Sequence, residues 1–332
     1  GWRWMFYINV PAAIVAMICI QWGYRIPRRR IDHRVDFAGA ALIFSAVGCL
    51  ILYTSWAGET LGWTAPLSLS LLAGSAALGV AFVVQERRAA EPILELSLLR
   101  MRPVWPPLLA TFVFGFGNFT IAFFLPLFII DVRGTKTVEA GFTLAPLSAG
   151  LLISGIFVGR RAVATGFYRR YATGGLVVYI AGLVLLVTAD RETPDLAFLL
   201  YSLLLGLGSG SLNPIFVAAI QNAVEERYLG VASSLPGFAR AVAQTIGTSM
   251  LGAFLALRIS HHLAQDVAPI APAGVVLDTF VESPASIRAL SGPLEAAVIE
   301  AYRVSFAETY GVMIGVMALS LLATRFMRDP GR

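Results

Sequence analysis

The 332-residue chain is 57% hydrophobic and only 14% charged, with a mean hydropathy of +0.75, values that exclude an ordinary water-soluble globule. Its formal net charge of +5 does not point to nucleic acid, because the basic residues fall in the gaps between apolar runs instead of gathering on one soluble face. Cys19 and Cys49 both lie inside apolar runs and suggest neither a disulfide framework nor a metal cluster.

A bilayer-crossing helix needs about 20 mostly apolar residues. Nine stretches meet that requirement, at 4–24, 37–56, 66–85, 104–130, 140–158, 172–189, 196–221, 230–257 and 304–325. The chain therefore reads as an all-α polytopic membrane protein. Pro126 and Pro214 fall inside these spans without arguing against them, since neighbouring helices can satisfy the groups that a membrane kink frees.

The connections set the orientation. Arg25, Arg28, Arg29, Arg30 and Arg34 follow the first span, and Arg87, Arg88, Arg100 and Arg102 the third. Arg160, Arg161, Arg169 and Arg170 follow the fifth, Arg227 the seventh, and Arg325, Arg328 and Arg332 the ninth. They outnumber Arg3, Arg133, Lys136, Arg191, Arg258, Arg288 and Arg303 in the alternate gaps. The positive-inside rule then places the C-terminus in the cytoplasm and, with nine spans, Gly1 on the outer side. The long connection 258–303 carries Pro269, Pro272, Pro284 and Pro293 and is expected to be an outer loop, with short interfacial helices at 284–289 and 294–302.

Several motifs recur in a fixed order. The opening Trp2-Arg3-Trp4-Met5-Phe6-Tyr7-Ile8-Asn9-Val10-Pro11 fits W-R-W-x-F-x-I-N-x-P, and Asp36-Phe37-Ala38-Gly39 fits D-x-x-G. Gln85-Glu86-Arg87-Arg88 through Glu91-Pro92-Ile93-Leu94 fits E-x-R-x(3)-P-[IL]-[IL]. Gly206-Leu207-Gly208 with Pro214, then Gly230-Val231-Ala232-Ser233 and Arg240 to Gly247, complete the series. In this order and spacing the chain resembles the fourteen-helix drug:proton antiporters of the major facilitator superfamily.

The resemblance implies two six-helix bundles joined by an extra helical pair. On that register residues 1–30 are the last helix of the N-terminal bundle, 31–103 the inserted pair, and 104–332 a complete C-terminal six-helix bundle with a long outer loop at 258–303. Five N-terminal helices would be missing, which agrees with the outward start. The implied activity is proton-driven efflux of small hydrophobic compounds across the plasma (inner) membrane by alternating access, without a cofactor and without enzymatic chemistry. The chain alone is expected not to transport. Narrow-substrate export of a metabolite, lipid or siderophore, and a truncated non-transporting remnant, are the rival readings.

One departure stands out. Many members carry a G-x(3)-D-R-x-G-R-[RK] loop in the C-terminal bundle; Gly159 and Gly166 fit its glycines, but Val163 and Ala164 replace the Asp and Arg, and the Arg169–Arg170 pair is shifted along.

For chemistry, no span has Asp or Glu near its middle. Asp131 and Glu139 border the outer face and Glu308 falls in the outer turn of the last span, all three expected as solvated helix-end carboxylates. The proton-carrying carboxylate is thus expected outside this chain. Arg240 is the only basic residue well inside an apolar run, a placement that costs about 2.5–3.5 kcal/mol at mid-bilayer; it reads either as a cavity or gate residue or as a snorkelling anchor. Gln244 shares its face at i+4. Asn118 and Asn213 read either as lining of a substrate cavity or as helix–helix hydrogen-bonding groups. The phenylalanines at 112, 114, 116, 119, 123 and 124 offer apolar surface for a hydrophobic guest or ordinary helix packing. Gly206 to Gly210 lacks the βαβ context of a nucleotide-binding turn and reads as a close helix approach, with Pro214 as a kink. Gly237 with Ala241 reads the same way. His261 and His262 read as chance loop histidines, with no metal implied.

Overall fold

The computed structural model describes residues 7, 9–23, 36–57, 62–89, 97–271 and 292–329. The chain divides into two compact units, 1–35 and 36–332. In the first, helix α1 spans Asn9–Gly23, 15 residues of the span expected at 4–24. Trp2, Arg3, Trp4 and the basic run 25–34 lie outside the described residues.

In the second unit, α2 (Phe37–Trp56) and α3 (Pro66–Glu86) form an antiparallel pair. The D-x-x-G motif is the cap that starts α2. Asp36 Oδ1 accepts from the Gly39 N–H at 2.8 Å, satisfying one of the donors that every helix N-terminus leaves open. Gln85 Nε2 donates to the same carboxylate at 3.2 Å, so the end of α3 is tied to the start of α2. Gly39 leaves room for this arrangement, since a side chain there would meet both Asp36 and the buried Glu86. Ser75 Oγ donates to the Ala46 carbonyl at 2.8 Å, and Tyr53 meets Trp63 edge-on, closing the other end of the pair.

Six further spans make a bundle. The first is broken into α4 (Trp105–Asn118) and α5 (Ile121–Asp131). The short α6 (Thr137–Phe142) leads into α7 (Leu144–Thr165), followed by α8 (Tyr168–Val187). The fourth is broken into α9 (Asp195–Gly210) and α10 (Leu212–Gln221). The long α11 (Leu229–His262) and α12 (Pro293–Thr324) complete the set. Eight spans in the described residues are long and apolar enough to cross a membrane, two in the α2–α3 pair and six in this bundle, and no strand is found among the described residues.

The core of the bundle is aromatic. Phe128 contacts Phe198, Phe306 and Tyr310 at ring separations of 5.7, 5.5 and 6.4 Å, joining α5, α9 and α12. Phe114 meets Tyr179 edge-on across α4 and α8. Elsewhere backbones touch. A Cβ on Gly206 would overlap the Leu147 carbonyl and one on Gly210 the Leu151 carbonyl, so α7 and α9 lie against each other with no side chain between them. A Cβ on Gly247 would likewise overlap the Phe116 carbonyl, which brings α11 onto α4.

Three helices run past their expected ends. α7 continues through Arg160 and Arg161 to Thr165, where Gly166, at φ 70°, caps it by donating to the Ala162 carbonyl. α11 passes Arg258 to His262 and ends in a π turn at Leu263–Val267. α12 begins at Pro293 rather than near Val304, so 294–302 is its first turns and not a separate interfacial helix. Hydropathy stops at charge, whereas backbone hydrogen bonding does not. At about 1.5 Å per residue α11 is roughly 50 Å long, well beyond a hydrocarbon core of about 30 Å, so its charged turns need not enter lipid. The other interfacial helix, expected at 284–289, lies outside the described residues.

Candidate functional site

A cavity of about 1170 Å3 lies between α2, the α4–α5 junction and α11. Its floor comes from α11. Ala241, Gln244, Thr245, Thr248, Ser249, Gly252, Ala253 and Ala256 recur at i, i+3, i+4 and i+7, which places small and hydroxyl side chains along one helix face. Thr54 and Ser55 of α2 close one side, and Phe119, Phe123 and Phe124 supply an apolar wall, with Phe119 and Phe123 in edge-to-face contact.

No Asp, Glu, Lys or Arg is among its described lining residues. The donors and acceptors on offer are hydroxyls and one amide. Thr245 and Thr54 donate to their own helix backbones, at 3.0 Å to Ala241 and Ile51, leaving oxygen lone pairs for a guest. Thr248 and Thr120 share a hydroxyl–hydroxyl bond of 3.2 Å that ties α11 to the break in the α4–α5 span. Gln244 and Ser249 have no hydrogen-bond partner among the described residues, so both retain their full capacity.

Of the residues singled out from sequence, Gln244 lines this cavity. Arg240, one turn earlier, is half-buried, and its Cγ and backbone pack so closely on Gly115 that a side chain at 115 would meet them at 3.1–3.2 Å. It has no ion-pair partner among the described residues. Asn118 is the last residue of α4, directly before the lining residue Phe119, whereas Asn213 lies on α10 and does not line the cavity.

Both asparagines sit at breaks in their spans. Past Asn118 the chain tightens, with Ala122 N–H bonding to the Phe119 carbonyl before α5 resumes. At Asn213 the cause is Pro214, which has no N–H for the Gly210 carbonyl four residues back. Pro214 itself packs where a Cβ on Gly159 would stand, at 3.1 Å. Beside this second break, the Ser211 hydroxyl and the Tyr179 phenol are buried with no partner among the described residues.

Sequence reasoning missed the hydroxyls of Thr245, Thr248 and Ser249. Their signal was present as an uninterrupted small-and-polar face from Ala241 to Ala256, masked by a search centred on charges and amides. It also misplaced Gly237, around which nothing lies within 4 Å; the close approach on α11 is at Gly247.

Two expectations are corrected by side-chain contacts. Glu308 is not a solvated helix-end carboxylate: with α12 starting at Pro293 it lies at mid-helix, where the Arg258 guanidinium grips it with both Nε and Nη2, the latter at 2.6 Å. His262 is not an idle loop histidine. It lies in the last turn of α11, with Nδ1 3.2 Å from Asp266 Oδ2 and Nε2 3.4 Å from Glu308 Oε1. No group that could hold a metal occurs among the described residues.

Val163 and Ala164, where the sequence departs from the family pattern, lie in the last turns of α7. An acid reaches the first turn of α8 from beyond α12, where Asp329 Oδ1 accepts from the Arg169 backbone N–H at 2.9 Å.

Comparison with known proteins agrees with this architecture. The chain is 31% identical over 99% of its length to an uncharacterized MFS-type transporter of Mycobacterium tuberculosis, covering 47% of that protein. It is 31% identical over 81% of its length to the multidrug transporter protein MdtP of Bacillus subtilis, covering 50% of it. The chain thus spans about half the length of the curated relatives it matches. Among solved structures it resembles a bacterial homologue of the human lysosomal transporter Spinster, in an inward-facing and unoccupied conformation, with a TM-score of 0.55, 15% identity, and coverage of 88% of this chain and 70% of that one. A sequence profile described as Major Facilitator Superfamily matches residues 1–248. With the helical bundle and this match across most of the chain, the protein belongs to the major facilitator superfamily.

Proposed function

We propose that this chain supplies the C-terminal bundle and the linker pair of a secondary transporter that exports small, uncharged hydrophobic compounds. The observation that carries the reading is the charge-free, hydroxyl-studded groove beside a phenylalanine wall. Such a lining solvates neutral polar atoms without fixing a charge, and presents apolar surface to the rest of the guest. The name of the Bacillus subtilis relative, a multidrug transporter, supports the same substrate class. In this reading residues 31–103 are the inserted pair and 104–332 the bundle, and the groove faces a partner bundle built from further helices of the same polypeptide.

Gln244 hydrogen-bonds the substrate, Asn118 flanks the groove at the hinge of its span, and Arg240 sets the approach of α11 to α4 at the gate. Asn213 belongs to the same mid-membrane layer, on the second broken helix. Transport is driven by the proton gradient through a carboxylate outside this chain, by alternating access around the groove. The C-terminus faces the cytoplasm across the plasma (inner) membrane.

The test uses everted membrane vesicles containing either this chain or the chain extended by its upstream coding sequence. Pumping of an uncharged lipophilic dye such as Nile red is expected only from the extended polypeptide and should stop when a protonophore collapses the gradient. In the extended polypeptide, Gln244→Leu together with Thr248→Val should lower dye transport about tenfold at unchanged membrane level, the loss of two hydrogen bonds of about 0.5–1.5 kcal/mol each. Unchanged pumping by the double variant would remove the groove from the substrate path. Pumping of a single metabolite, with no dye transport, would replace the multidrug reading with narrow-substrate export.

A further inference from the structure

A second cavity, of about 690 Å3, opens where the first turn of α8 meets the end of α12. We infer that it is a binding site for a phosphate-bearing anion, and that the anion is the headgroup of an anionic phospholipid. The inference is independent of the exported substrate and concerns the lipid surface of the bundle.

Three guanidiniums, from Arg169, Arg170 and Arg325, line this one cavity. None has an ion-pair or hydrogen-bond partner for its side chain among the described residues. The only acid among its described lining residues is Asp329, and its Oδ1 accepts the backbone N–H of Arg169 instead of neutralising a guanidinium. The cavity therefore keeps an excess of positive charge in a form suited to phosphate, because a planar guanidinium presents two parallel N–H groups to two phosphate oxygens. Its walls are held in place, since the Thr173 and Thr324 hydroxyls bond at 3.2 Å across α8 and α12.

The surroundings select the source of the phosphate. Phe167 and Leu321 line the cavity itself, and the neighbouring Leu322 and Phe326 are 50% and 62% exposed. An anion entering here thus finds basic groups at its head and uncovered apolar side chains beside it. That combination matches an amphiphile standing in the bilayer better than a free ion in water. Basic pockets between membrane helices are suited to anionic headgroups in the same way.

The test reconstitutes the full 332-residue chain in nanodiscs of phosphatidylcholine and measures capture of added phosphatidylglycerol by native mass spectrometry, with inorganic phosphate titrated separately by 31P line broadening. The wild-type chain is expected to retain phosphatidylglycerol over phosphatidylcholine. Arg170→Gln with Arg325→Gln should weaken that retention about tenfold or more, and Asp329→Asn should strengthen it. Arg160→Gln with Arg161→Gln, at the end of α7, should leave it unchanged. An unaltered melting temperature of each variant in phosphatidylcholine establishes folding. Equal retention by wild type and the Arg170/Arg325 variant overturns the site. Arginine-dependent binding of inorganic phosphate without lipid retention overturns the phospholipid as occupant.

Discussion

A methyl group on Gly206 or Gly210 would be driven into the carbonyl of Leu147 or Leu151, so these positions cannot accept a side chain without parting α7 from α9. Gly206→Ala is expected to destabilise the bundle by about 1–3 kcal/mol, the usual cost of overpacking, read as a lower melting temperature in detergent. Gly237→Ala makes the opposite prediction: with open space around it and helix on both sides, it should raise stability by up to about 1 kcal/mol. The spacing of Gly206 and Gly210 was legible in the sequence because both halves of that signal lie on one helix. The contact of Gly247 with Phe116 was not, because its partner is more than a hundred residues away. Glu308 was misread for a related reason. Its partner Arg258 lies on another helix, and the true start of α12 at Pro293 was hidden by Glu295, Glu300 and Arg303, which end a hydropathy window without ending a helix.

At the scale of elements, the motif residues around α2 and α3 act as joinery. Asp36 both caps α2 and receives Gln85, so Asp36→Ala should cost about 1 kcal/mol for the lost cap alone, and hydrogen exchange should show the first turn of α2 and the last turn of α3 loosening together. The other joint is the pairing of α11 with α12 through Arg258 and Glu308. Separate Arg258→Gln and Glu308→Gln variants should each lower the melting temperature, and the double variant by less than the sum, because the second change removes a charge that the first has orphaned. Apolar length and turn residues sufficed to locate the eight long spans among the described residues. They did not reveal the interruption after Asn118, beside which Thr120 meets Thr248, whereas Pro214 reads from sequence as a kink and the break at Ser211 lies three residues before it.

For the molecule as a whole, the arginine distribution makes a topological prediction. A cysteine replacing the exposed Thr165, at the end of α7, should react with a membrane-impermeant maleimide only after the cytoplasmic side is exposed, and one replacing Ala268, after the π turn of α11, should react from outside in intact cells. Reversed labelling would invert the orientation proposed above. The groove was partly legible, through Gln244 and the phenylalanines. Its shape was not, because α2 enters the wall only when the α2–α3 pair folds against α11. The seam between α7 and α9 has a mechanical corollary. Two backbones pressed together with no intervening side chains have no alternative rotamers to slip into, so that pair travels as a single strut. Bending is expected to fall instead to interrupted spans such as those broken at Phe119–Thr120 and Ser211, whose missing rungs leave them the more pliant articulations of the bundle.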